Sequence, residues 1–382
     1  LEDEEVAQEA ELGLRWFGEG AVPSLLAEGR RASPPVRAVT LGLVPILAKR
    51  PDVATIDVLR EALHADEREV QTAALQAIAV AGSDRDLEFL AGHATSPDPR
   101  IAATACAALT SLASRHAALA RTMAEAIPPD SPVAVVGCIL RGASAAHARG
   151  ATSEAPSATL AADVAFLRSA LDHGDPRVRR AAVDALSAIG GARAAGVVAR
   201  ALADEERDVV LAAVRALGRM RQAEPLLALL EGMHETSVVA SALRALGEAS
   251  PAQAFDAAWR FLGSTDPALA SAAVETVGQL ESPRRQDGLA LALQHADPSV
   301  VKSALSELAR PRSPATVARI GGCLESSSYE VRRFAAELLS DVGDEAARGL
   351  VRARLDRETD PVVREALTLA LARQLPSGSG VP

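Results

Sequence analysis

Histidine recurs in register along this chain. His64, His173 and His295 each precede an aspartate by two residues. An imidazole beside a carboxylate is the raw material of metal binding and of acid–base catalysis. The spacing suits neither, because one His per helical repeat would place successive rings about 10 Å apart along a stack. A His in the last turn of a helix instead complements the helix dipole, so a partly cationic capping role is expected. Cys106, Cys138 and Cys323 form no Cys-x-x-Cys pair. Neither a structural zinc site nor a disulfide framework is therefore expected, and a reducing cytoplasm fits best. No Ser-His-Asp set, P-loop, glycine-rich dinucleotide turn or paired carboxylate cluster stands clear of the background. No metal, cofactor or catalytic residue is expected.

The elements that would position these residues come from a repeated phrase. Residues 175–186 read Asp-Pro-Arg-Val-Arg-Arg-Ala-Ala-Val-Asp-Ala-Leu, and variants of it return usually after 31 residues. The apolar residue after the turn serves as an anchor. The series is Val36, Val70, Ile101, Val133, Val178, Val209, Val238, Leu269, Val300, Val331 and Val363. A period of this size means stacked helical hairpins rather than one globular core. In the fifth unit Val178, Ala181, Ala182, Ala185, Leu186 and Ile189 fall on one face of an α-helix. Asp before Pro supplies an N-cap and an N1 residue that needs no amide hydrogen. Gly190 and Gly343, twelve residues past their anchors, predict helix C-caps. The first helices of the hairpins fall on segments such as 164–171, 197–202, 225–230 and 288–293. Phe89 and Phe166 are expected in the hairpin core. The Asp of one turn is expected to pair with the Arg after the next anchor (Arg179, Arg332, Arg364), as exposed pairs contributing about 0–1 kcal/mol each.

The phrase resembles the HEAT repeat, particularly its short 31-residue phycobilisome-lyase HEAT-like variety, over roughly residues 20–373. The resemblance implies an all-α fold, an α-solenoid (α-α superhelix) of about eleven hairpins whose second helices line the inner face. It leaves function open, because the family includes scaffolds, bilin lyases, a hydroxylase and DNA glycosylases. Deoxyhypusine hydroxylase holds iron through several His-Glu pairs in related repeats. This chain has one such pair, His234-Glu235, so a di-iron site is not expected.

Second-helix positions two and six past each anchor are expected to face outward along the inner surface. They include Arg180, Asp184, Arg215, Arg244, Glu275, Lys302, Arg333 and Glu337. This mixed-sign row is the expected contact surface for another protein. The Arg180/Arg215/Arg244 stretch could alternatively meet nucleic acid. However, Asp184 and Glu275 interrupt it, no aromatic is interleaved, and the net charge of −10 opposes unspecific binding to polyanions. A HEAT-like enzyme or lyase accessory subunit is the other alternative.

Two stretches break the repeat. The 45 residues between Val133 and Val178 hold an insertion at 142–160, small and polar and expected as a loop on one face. The segment Val133–Leu140 before it carries no charge, so it needs cover on all sides. That cover is expected from the insertion. Residues 1–20, acidic at the start, are expected to cap the stack, and 374–382 to form a disordered tail. Residues 1–373 are otherwise read as a single solenoid, expected to be monomeric. The interior must be filled by Ala, Leu and Val, since 48% of residues are hydrophobic and only 2% aromatic. No signal peptide is visible and no apolar run reaches the roughly 18 residues of a membrane span. The first residue is Leu1, as expected of a fragment or a processed chain.

Overall fold

The computed structural model describes residues 13–48, 51–150, 157–232, 235–310, 314–342 and 344–373. Among them every regular element is a helix. After a helical turn at 13–17 and a 3-10 segment, eleven hairpins follow among the described residues. They pair α1 (Val22–Gly29) with α2 (Pro34–Leu47), α3 (Val53–Ala62) with α4 (Arg68–Ala81), and α5 (Asp86–Ala94) with α6 (Pro99–Arg115). Next come α7 (Ala117–Glu125) with α8 (Ala134–Gly150), α9 (Ser157–Ala170) with α10 (Pro176–Ile189), and α11 (Gly191–Arg200) with α12 (Arg207–Arg219). The series continues with α13 (Ala223–Glu231) and α14 (Thr236–Ala249), α15 (Pro251–Trp259) and α16 (Pro267–Gln279), and α17 (Arg285–Ala292) and α18 (Pro298–Ala309). It closes with α19 (Pro314–Gly322) and α20 (Tyr329–Val342), then α21 (Glu345–Leu355) and α22 (Pro361–Arg373). The fold is an α-solenoid. Each even-numbered helix contains its repeat's anchor, except α8, which begins one residue after Val133. None of the described helices is long and apolar enough to cross a membrane.

The helices group into two compact units, residues 1–213 and 214–382. In the first, second helices pack on second helices along the series α2, α4, α6, α8 and α10. Leu75, Ile78, Leu109, Leu140 and Leu186 are fully buried between them. In the second, α14 packs on α16, α16 on α18 and α20 on α22 around Leu243, Leu305, Leu339 and Leu367. Ala at most of the remaining inward positions lets these helices lie close while favouring helix.

The turns follow their sequence. Asp98, Asp175, Asp266 and Asp297 accept hydrogen bonds from backbone N–H groups of the helix each precedes, with Pro in the first turn. Gly190 ends α10 at φ 70°, where a side chain would be strained. Gly343 and the 374–382 tail lie outside the described residues, as do residues 1–12 of the expected cap.

Five expectations need correction. First, the Asp–Arg ladder runs in the opposite direction and is buried. Arg179 reaches forward to Asp204 of the following turn (Nε–Oδ2 2.8 Å), while its Nη1 donates to the His173 and Gly174 carbonyls. Arg332 reaches forward to Glu358 in the same way (2.9 Å) and donates to the Ser326 and Ser327 carbonyls. The side chains of Arg179 and Asp204 are only 7% and 8% exposed. Arg364, at the last turn, donates to the Leu355 and Glu358 carbonyls. Second, the three histidines lie in the turns beyond their helices rather than in the last helical turn, and two of them hydrogen-bond there. His173 and His295 each accept at Nδ1 from the N–H of the Asp two residues on (3.0 Å), which places the proton on Nε2. His295 Nε2 then donates to the Ser264 carbonyl one repeat back (3.0 Å).

Third, the polar loop does not begin at Gly142. Residues 142–150 continue α8, and only 151–156 lie outside the described residues. The small residues that resemble a loop are an interface. A Cβ on Gly142 would stand 2.9 Å from the Ala185 Cα, so α8 and α10 touch nearly backbone to backbone. Fourth, among the described residues α8 draws its cover from α6, α7 and α10. Its Arg141 points inward, pairing with Asp163 (2.7 Å) beside Arg121 and lying over the Phe166 ring at 4.1 Å. Fifth, Phe89 is 41% exposed, with the Arg60 guanidinium 5.4 Å from its ring centre. Phe166 is half-buried.

Candidate functional site

The outward row of second-helix residues is placed at the surface as the repeat phase requires. In the first unit Arg180 and Asp184 are exposed one turn apart on α10. In the second unit Arg215, Arg244 and Arg333 are exposed, and Glu275, Lys302 and Glu337 are half-buried.

The structure brings several of these together. Arg244 bonds to Glu275 of the next repeat (Nη2–Oε2 2.9 Å), and Arg333 bonds to Glu337 one turn on (2.8 Å). Lys302 meets Glu330 (2.8 Å), which is outside the row as read from the sequence. Tyr329 and Phe334 join Lys302, Glu330, Arg333 and Glu337 around a polar hollow of about 420 Å³. Most of the second unit's row charge is thus neutralised locally. Arg180 and Arg215 take part in no ion pair among the described residues.

A second feature was not foreseen. A trough of about 570 Å³ lies in the first unit, with α8 as its floor and α6 and α10 as its walls. Val135, Ile139 and Gly142 belong to the floor; Ala103 and Ala107 stand on one wall, and Arg180 and Ala181 on the other. On each wall helix six residues, at offsets 0, 3, 4, 7, 8 and 11, turn one helical face to the hollow. Across the end where α8 starts late, Arg177 of α10 donates to the Ser96 carbonyl before α6 (3.4 Å), skipping one whole repeat. A signal for the trough exists in the sequence. Positions two and six, both charged in α10 and at least one of them charged in every later repeat, are Ala103 and Ala107 in the third repeat and Val135 and Ile139 in the fourth.

Two cysteines line the trough. Burial pushes the Cys106 thiol pKa up, against the opposing pull of the Arg177 and Arg180 charges. Burial pushes that of Cys138 up to about 12, so both are thiols rather than thiolates at neutral pH. Both cysteines are free, as is Cys323. Among the described residues no group of three or more His, Cys, Asp and Glu side chains is placed to hold a metal ion. His234 of the single His-Glu pair lies outside the described residues.

A family model described as HEAT repeats matches residues 140–218, 164–242, 223–309 and 286–372, together more than half of the chain. No curated protein matches. Among known structures the chain is similar to a homology model of the full-length AP-3 complex in an intermediate open conformation. That match has 13% identity over 89% of this chain and 72% of the other, with a TM-score of 0.45. It is similar to importin beta at 14% identity over 99% of this chain and 54% of the other, TM-score 0.44. Human deoxyhypusine hydroxylase matches at 17% identity over 69% of this chain and 96% of the other, TM-score 0.28. These likenesses carry no activity, ligand or partner over to this chain.

Proposed function

The chain belongs to the HEAT-repeat family, and from that premise we propose that it is a non-catalytic scaffold that grips another protein along the exposed faces of its second helices. The observation that supports this reading most directly is the row itself. At the same two repeat positions it is apolar in the third and fourth repeats and of mixed charge from the fifth onward. Stacked repeats offer large surface per residue, which suits an extended partner. Burying apolar groups supplies affinity, and the polar margin sets register and discriminates against wrong partners.

The contact residues proposed are Arg180, Asp184, Arg215, Arg244, Glu275, Lys302, Arg333 and Glu337. They do not contribute alike. Arg244, Lys302 and Arg333 must leave or share a carboxylate already bound to them, so their net contribution is small. Arg180 and Arg215 carry charge without an ion-pair partner and are the stronger candidates. The nucleic-acid alternative is reduced to the same two arginines, since Glu275 neutralises Arg244.

The test is charge reversal on a partner recovered by cross-linking from source cells. Arg215→Glu should weaken that partner's affinity about fivefold at low salt, with the difference shrinking as salt is raised. Unchanged affinity in both Arg215→Glu and Arg180→Glu would remove the row as the interface.

A further inference from the structure

The trough on α8 has a shape and a charge pattern that narrow what it can hold. Each wall spans twelve residues, from Pro99 to Thr110 on α6 and from Arg177 to Ala188 on α10, a length of about 16 Å. The floor is lined by the half-buried Ile139 and the nearly buried Val135, the α6 wall exposes Ala103 and Ala107, and neither carries a charged lining residue. Charge enters only from α10, where Arg177 and Arg180 stand at the helix's N-terminal end and Asp184 one turn further. Arg177 is held by Asp175, through Nε and Nη2 (2.7 Å for the latter). Arg180 has no such counter-charge among the described residues. An extended peptide laid in this trough would turn unpaired backbone N–H and C=O groups onto apolar walls. A helix satisfies its own backbone and presents side chains at the three- and four-residue spacing that the walls share.

We propose that this trough receives an amphipathic helix of about three turns from a partner protein. Its apolar face lies on Val135, Ile139 and the wall alanines, and an acidic side chain at one end meets Arg180. This rests on the scaffold reading above and gives its partner a chemistry. The small residues Gly142, Ala185 and Ala188 let α8 and α10 close up along the trough. The hollow is within the range of volume that binding clefts occupy. It holds no aromatic side chain on which a base or a pigment ring could stack.

The test is a display selection on the full-length chain with a library of 14-residue helical peptides. The library varies both the apolar positions and the sign of the flanking charges. Enriched peptides should carry apolar residues at i, i+3 or i+4, and i+7, with Asp or Glu at one end. The best of them should bind Ala107→Trp, a change at an exposed wall position, at least about tenfold more weakly. Arg180→Glu should cost about fivefold. Ala103→Trp repeats the first measurement from another wall position, and circular dichroism checks that each variant keeps its helices. The proposal is overturned if enriched peptides bind both tryptophan variants as they bind the parent, or if the selected end charge is basic. It also falls if no peptide is enriched, or if sodium laurate rather than a peptide binds in a manner that Ala107→Trp abolishes. Peptides insensitive to the tryptophan variants but lost on Arg215→Glu would overturn the trough while leaving the scaffold reading intact.

Discussion

The Glu358 carboxylate is heavily bonded among the described residues of the second unit, and its removal has a calculable effect. It accepts from Arg332 (Nε 2.9 Å, Nη2 3.2 Å), from Arg354 (Nε 3.0 Å, Nη2 2.7 Å), and from the backbone N–H groups of Thr359 and Asp360 (3.0 Å each). Glu358 is 3% exposed. Removing one member of a buried ion pair destabilises by about 3–5 kcal/mol, because the other charge is left without compensation. Here the lower end applies. Arg332 keeps the Ser326 and Ser327 carbonyls, and Arg354 keeps Glu325 at 2.7 Å. Glu358→Ala should therefore cost about 3 kcal/mol, equivalent to about a hundredfold faster amide exchange where opening is local.

Because α22 packs on α20 and α21, the loss should appear in those helices and fade towards α14. Hydrogen exchange read by mass spectrometry resolves this. Glu275→Ala, which breaks the exposed pair with Arg244, is the control and should change exchange by less than about fivefold. An increase below about threefold in α20 and α22 of Glu358→Ala would refute the account. The same group predicts a pH effect. Burial alone would raise the Glu358 pKa, but Arg332, the Asp360 amide and Arg354 outweigh it and hold the pKa down at about 2. A carboxyl depressed in the folded state stabilises above its unfolded pKa of about 4.3 and loses that contribution as pH falls towards 2. Protection of α22 should decline over that window in the parent, and Glu358→Gln should remove this component.

Three further outcomes follow from single contacts. Asp175→Ala removes the acceptor for the Arg177 N–H (2.8 Å) and should cost about 1 kcal/mol, read as a lower urea midpoint; no shift would show that the Pro176 turn holds without its cap. Gly142→Ala would force a Cβ to 2.9 Å from the Ala185 Cα and should destabilise by about 1–3 kcal/mol in thermal unfolding, so a neutral result would mean that α8 and α10 can separate freely. In thiol titration at pH 8, Cys106 should react first, Cys323 more slowly because burial pushes its pKa up to about 11, and Cys138 only on unfolding. Equal rates for Cys106 and Cys138 would contradict the burial of α8.

The hairpins were legible because each anchor, cap and glycine acts within a few residues of itself. Asp175-Pro176 starts a helix and Gly190 ends one whatever lies beyond, so the period alone determined the fold class and the outward phase of Arg180, Arg215 and Arg244. What a side chain meets one repeat away was not legible. Arg179 chose the acid ahead of it, Asp204, because a forward reach buries the pair while still serving the His173 and Gly174 carbonyls. Glycine and alanine at 142–146 predict a loop by composition and build a close helix interface in fact, since small residues serve both ends equally well. Arg141 shows the same limit: charge marks a surface in a local reading, and only Asp163, brought up from another helix, made burial affordable. The sequence determined by itself the repeat, the caps and the exposed row, all set by interactions within one turn of helix. The tertiary structure alone decided which row charges are neutralised and that the third to fifth repeats enclose a trough, because both depend on distances between helices that no single repeat encodes.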